Sequence, residues 1–97
     1  MEIIRLDGAR LCRRKEAMAL LGYELALPEW WGRNLDALYD CLTDLGRPVR
    51  LELSGREAME ATDFSRRLLR VLEDAAACSP CFELAVTENS PAENIEQ

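Results

Sequence analysis

The residues with the most chemistry to offer lie in one stretch, Leu25-Ala26-Leu27-Pro28-Glu29-Trp30-Trp31-Gly32-Arg33-Asn34-Leu35-Asp36-Ala37-Leu38-Tyr39-Asp40-Cys41-Leu42-Thr43, with Asp44 just beyond it. Pro28 and Gly32 mark a loop, and Asn34 is a good N-cap for a helix that runs to Thr43. At about 100° per residue, Leu35, Leu38 and Leu42 share one helix face, with Cys41 at its edge. Asp36, Tyr39, Asp40 and Thr43 share the opposite one. The leucines belong in the core, so the spacing predicts two carboxylates flanking a tyrosine on the outside. Such a face suits a cationic guest.

Asp36 is favourable to its helix, because an acid in the first turn complements the helix dipole. Asp40 is not. It follows Asp36 at an i,i+4 like-charge spacing that costs about a few tenths of a kcal/mol, and it lies near the negative end of the dipole. A local choice that works against its own helix is where a functional surface is expected, although plain solvation of a charged face is the competing reading. Trp30 and Trp31 stand in the loop directly before this helix. One of them is expected to anchor the core. The pair together with Tyr39 exceeds what that corner needs, and aromatic anchors beside charged residues match the composition of interface hot spots.

A second constellation, Cys78-Ser79-Pro80-Cys81, has the spacing of a redox motif. Its setting is wrong for that work: it follows a helical segment and precedes a strand, so the helix dipole disfavours a thiolate there. A structural turn is the favoured reading, and a thiol-disulfide enzyme using Cys78 and Cys81 is kept as the alternative from another class. A four-thiolate zinc site would also need Cys12 and Cys41 brought to the pair; no metal or other cofactor is expected. The chain contains no histidine, which removes the commonest general base and the commonest metal ligand together. A ribonuclease built on a histidine pair is thereby excluded. A single glycine in Asp7-Gly8-Ala9-Arg10 makes no phosphate-binding loop.

The elements that must position these groups are legible from periodicity. Three short segments alternate apolar and polar residues: Ile4 and Leu6; Val49, Leu51 and Leu53; Phe82, Leu84 and Val86. Each reads as a strand buried on one face. Between them lie helical patterns over about Leu11–Gly22, with Gly22 as the stop, over Asn34–Thr43 and over Asp63–Cys78, with a short extra helix near Gly55–Ala61. The order strand, helix, helix, strand, helix, strand predicts an α/β fold of two layers. Its sheet has three parallel strands in the order 1-2-3, and the helices lie on one side. Residues 1–87 are expected to form the domain and residues 88–97 a disordered acidic tail.

At 97 residues the chain makes one domain. Its 18 acidic against 12 basic residues, a net charge of -6, argue against nucleic acid as a direct ligand and fit a basic protein partner. The distribution is uneven. Arg10, Arg13, Arg14 and Lys15 make the first helical region basic, whereas Glu29, Asp36, Asp40 and Asp44 load one segment with acid. No apolar run approaches the roughly 20 residues of a membrane span, and the first residues lack the features of a signal peptide. A cytoplasmic protein is expected, with no membrane partner.

The stretch from Leu25 to Gly32, continued from Asn34 to Thr43, resembles the signature of the barstar family, and the rest of the chain is similar in element order and pattern up to about Thr87. The resemblance implies the same three-stranded parallel sheet covered by helices. It also implies inhibition of a microbial extracellular-type ribonuclease inside the producing cell, the second helix and preceding loop capping the enzyme's active site. On this likeness Asp40 is the chief anion, taking the pocket of a substrate phosphate, with Asp36 at the rim. Trp30 stacks on the enzyme where the family prototype has tyrosine, Tyr39 stands where it has tryptophan, and Asp74 falls where it has a contacting glutamate. Asn34, Thr43 and Asp44 complete the nuclease-binding set. The implied partner is a small basic ribonuclease in a one-to-one complex; an immunity or antitoxin protein against another basic nuclease or toxin is the alternative. Arg33, Asp44, Leu45 and Arg47 depart from the prototype and alter the rim of this face. Arg70, four residues before Asp74, offers it a partner on the helix surface.

Overall fold

The structure is a computed structural model that describes residues 1–88. Strand β1 (Glu2–Asp7) leads through a 3-10 turn (Gly8–Leu11) into helix α1 (Arg14–Glu24). Helix α2 (Leu35–Thr43), strand β2 (Val49–Ser54), the short helix α3 (Arg56–Met59), helix α4 (Asp63–Cys78) and strand β3 (Phe82–Val86) follow. The strands form one parallel sheet in the order β1-β2-β3. Three main helices, one short helix and this sheet are the architecture that the periodicity predicts. Of the expected tail, residues 89–97 lie outside the described residues.

Period-two alternation decides which face of the sheet is covered. Ile4 and Leu6, then Val49, Leu51 and Leu53, then Phe82 are buried, while Arg5, Arg50, Glu52 and Glu83 between them stay at least partly exposed. The register sets Ile4 beside Leu51 and Leu51 beside Leu84, so one apolar stripe crosses all three strands. Onto it pack Ala17, Met18 and Leu21 of α1, Leu38 and Leu42 of α2, and Leu68, Leu72 and Ala75 of α4. Burying a leucine side chain in this way contributes roughly 1.5–3 kcal/mol, so α2 is held in orientation by Leu38 and Leu42 and its other face is left to solvent.

Local chemistry sets the helix ends. Thr62 and Ser65 form a reciprocal capping box: the Thr62 side chain accepts from the Ser65 N–H at 3.1 Å, and the Thr62 N–H donates to Ser65 Oγ at 3.3 Å. This starts α4 at Asp63, where the pattern places it. Asn34 caps α2, its Oδ1 accepting from the Ala37 N–H at 2.8 Å.

Helix α1 differs from expectation at both ends. The chain first makes the 3-10 turn, capped by Asp7, and the α-helix begins only at Arg14. Gly22 does not stop it. The helix continues to Glu24, and the glycine serves packing: a Cβ on it would lie 2.9 Å from Trp31 Nε1. Trp31 rests on the space where that side chain would be.

Candidate functional site

The loop between α1 and α2 sorts its two tryptophans in opposite directions. Trp31 is 5% exposed and belongs to the core; Trp30 is 82% exposed. The loop that achieves this turns through the left-handed region at Ala26 (φ 53°), Gly32 (φ 92°) and Arg33 (φ 50°). The glycine takes that conformation freely, whereas the alanine and the arginine each pay about 1 kcal/mol for it. The turn is held by the Leu27 N–H donating to the Gly22 carbonyl at 2.9 Å and by the Trp31 N–H donating to the Pro28 carbonyl at 3.0 Å. Arg47 staples it from the far side. Its Nη2 donates to the Leu25 carbonyl at 2.8 Å while its Nε pairs with Glu2 at 3.1 Å.

Trp30, Asp40, Asp44 and Arg47 meet along one groove of about 280 Å³, with Leu27, Pro28 and Leu45 beside them. Asp36, Asp40 and Asp44 are all exposed, and among the described residues none of them enters a salt bridge. The same is true of Asp74 on α4, so the Arg70–Asp74 pair that the spacing allows does not form.

Tyr39 stands differently from the outward position that the helical wheel assigns it. It is half-buried, and its hydroxyl donates to Cys78 Sγ at 3.4 Å, because the end of α4 packs alongside α2. The hydrogen bond to Cys78 and the electrostatic interaction with that sulfur hold the phenol above its usual range, and burial and the charges of Asp74 and Asp40 push the same way. Tyr39 is thus a neutral ring wedged between two helices, with the carboxylates of both acting on it.

The other residues of the predicted set hold the scaffold. Besides capping α2, Asn34 donates from Nδ2 to the Gly32 carbonyl at 3.3 Å. The Thr43 hydroxyl donates back to the Tyr39 and Asp40 carbonyls at 2.9 and 3.2 Å. Asp44 is the C-cap of α2, its N–H donating to the Asp40 carbonyl at 3.1 Å. Beyond the predicted set, Tyr23 is 82% exposed at the end of α1. It lies off the apolar stripe of Met18 and Leu21.

The four cysteines are free thiols. Cys78 is the last residue of α4, at the negative end of its dipole. Burial, reinforced by Asp40 and Asp44, pushes the Cys41 thiol up, away from the thiolate that thiol chemistry needs. Among the described residues no cluster of histidine, cysteine or carboxylate ligands has the arrangement to hold a metal ion, and no helix is long and apolar enough to cross a membrane.

A family model described as Barstar (barnase inhibitor) matches residues 1–86. The chain belongs to the barstar family. Members of that family inhibit ribonucleases of the barnase type and are not enzymes. The match takes in every element from β1 to β3, and with them both tryptophans and all the carboxylates of α2.

Proposed function

We propose that this protein inhibits a small basic ribonuclease by laying the exposed face of α2 and the Trp30 loop over the enzyme's active site. The observation that carries the reading is the state of Asp40: exposed, free of any salt bridge among the described residues, and set in one groove with Trp30 and Asp44. A ribonuclease gathers positive charge to bind phosphate. That charge attracts an acidic partner and speeds encounter, and a carboxylate then occupies the anion site without offering a bond to cleave.

In the complex Asp40 is the central anion, with Asp36 and Asp44 around it and Asp74 reaching the same surface from α4 beside Tyr39. Trp30 supplies a rigid aromatic contact. Rim charges act mainly on association, whereas a desolvated, hydrogen-bonded charge at the centre sets dissociation. Added salt is therefore expected to slow binding more than it speeds release.

The test uses purified barnase as the probe, with RNA cleavage and direct binding as readouts. Wild type is expected to inhibit in a one-to-one complex, and Asp40→Ala to weaken binding by at least about tenfold. Equal inhibition by the two proteins would remove Asp40 from the mechanism.

A further inference from the structure

A second groove, opposite in sign and about 790 Å³ in volume, lies between the start of α2 and the first half of α4. Arg14, Arg66, Arg67 and Arg70 line it together with Asp36 and Asp63. In a chain of net charge -6, this is a local surplus of cations. Asp63 does not absorb it: one carboxylate serves both Arg66, at 2.6 Å, and Arg67, at 3.5 Å. Arg66 is further fixed by donating to the Glu60 carbonyl at 2.9 Å, and the Arg14 guanidinium lies 4.9 Å from the centre of the Phe64 ring. Arg70 enters no ion pair or side-chain hydrogen bond among the described residues.

The arginines sit against the preference of their own helix. Arg66 with Arg70, and Arg67 with Arg70, are like-charge pairs at i,i+4 and i,i+3, and all three lie in the half of α4 nearer the positive end of its dipole. Asp63 offsets part of this cost for Arg66 and Arg67, whereas Arg70, without an ion pair among the described residues, is the counterpart of Asp40 on α2 with the sign exchanged. The presence of Asp36 in the groove selects among ligands. It repels a phosphate polymer, whereas a protein segment can offer carboxylates to Arg67 and Arg70 and a cation to Asp36. Asp36 also joins this groove to the acidic face, so the two surfaces are continuous along α2.

We propose that the arginine groove is the second half of the docking surface. It receives a carboxylate-bearing segment at the rim of the same ribonuclease whose cationic site takes Asp40. The inference rests on the inhibitor reading and adds a requirement on the target: acid beside the active site. Two signs side by side orient the partner and reject enzymes with the wrong rim.

The experiment compares wild type, Asp40→Ala and the double variant Arg67→Glu/Arg70→Glu. The probes are a barnase-type ribonuclease with acidic residues at the rim of its active site and the same enzyme with those acids changed to amides. Both arginines are exposed, so the double variant is expected to fold, and its thermal midpoint checks this. The double variant should bind the acidic-rim enzyme at least about tenfold more weakly and the neutralised enzyme within about twofold of wild type. An equal effect on the two enzymes, or none on either while Asp40→Ala still loses binding, overturns the proposal and leaves the inhibitor reading standing. If wild type binds neither enzyme, both fall. Binding of tripolyphosphate or an RNA oligonucleotide by wild type, abolished in the double variant, overturns it in favour of a polyanion site.

Discussion

The outer face of the sheet and the exposed face of α2 are both rich in charge, and they treat it in opposite ways. Across the sheet, Arg5, Glu52, Arg50 and Glu83 form a chain of ion pairs at 2.9, 2.9 and 3.0 Å that links all three strands. On α2 and at its C-cap, Asp36, Asp40 and Asp44 are exposed and have no salt-bridge partner among the described residues. The sheet charges close on one another and cancel. The helix charges add, and their field remains available to another molecule. The contrast teaches that composition alone cannot separate charge spent within the fold from charge left open to another molecule. The adjacent tryptophans repeat it in apolar form, with Trp31 spent on the core and Trp30 left outside.

The two tryptophans give the largest expected difference. Trp31→Ala should lower unfolding free energy by about 3–5 kcal/mol, the usual loss for a large aromatic removed from a core. Trp30→Ala should change it by no more than about 0.5 kcal/mol while weakening ribonuclease binding. Urea unfolding of both variants with the enzyme-binding assay checks this. A Trp30→Ala protein as unstable as Trp31→Ala would show that Trp30 serves the fold, and the division of labour within the loop would be lost.

The sheet network predicts a pH response in which the sign follows from the direction of the shift. Hydrogen bonding by Arg50, then the charge and hydrogen bond of Arg5, hold the Glu52 carboxyl below its usual range despite partial burial. Its pairing therefore stabilises the fold above the ordinary carboxylate pKa of about 4 and is lost as pH falls through the lowered value. Asp63, held down by Arg66 and Arg67, acts in the same sense. Glu52→Gln should thus lower the thermal midpoint at neutral pH, flatten its fall in acid, and leave ribonuclease binding unchanged. A binding loss in this variant would break the distinction between the two faces.

Much of the fold was legible because its signals are local. Period-two alternation marks β1, β2 and β3, the helical pattern over Asp63–Cys78 marks α4, and the opposition of Leu38 and Leu42 to Asp36 and Asp40 orients α2. What escaped was set by contacts between residues distant in sequence. Gly22 reads as a helix stop until Trp31 is seen to occupy the space above it. Tyr39 reads as outward until the end of α4 is packed beside it. The arginine groove joins residue 14 to residues 66–70, which no spacing rule brings together. The 3-10 turn at Gly8–Leu11 has no pattern of its own to read. The acidic groove was visible in part: its carboxylates stand out on the wheel, but the staple from Arg47 to Leu25 depends on the return of the chain into β2.

The smallest expected effect is the most discriminating, because it runs against the usual direction of mutation. Asp40→Asn keeps the shape of the side chain and removes one charge. It relieves the repulsion with Asp36 one turn earlier and with Asp44 one turn later, and it takes a negative group away from the negative end of the helix dipole. Each of these terms is about 0.3–0.5 kcal/mol at an exposed site, and among the described residues no salt bridge is lost to offset them. The variant should therefore be slightly more stable than wild type at low salt, with the gain shrinking as salt screens the charges, while its ribonuclease binding falls. A residue whose removal helps the fold and harms the complex is held in place by the complex. If Asp40→Asn instead lowers the urea midpoint, Asp40 is serving α2, and the face on which the inhibitor reading stands becomes ordinary solvated surface.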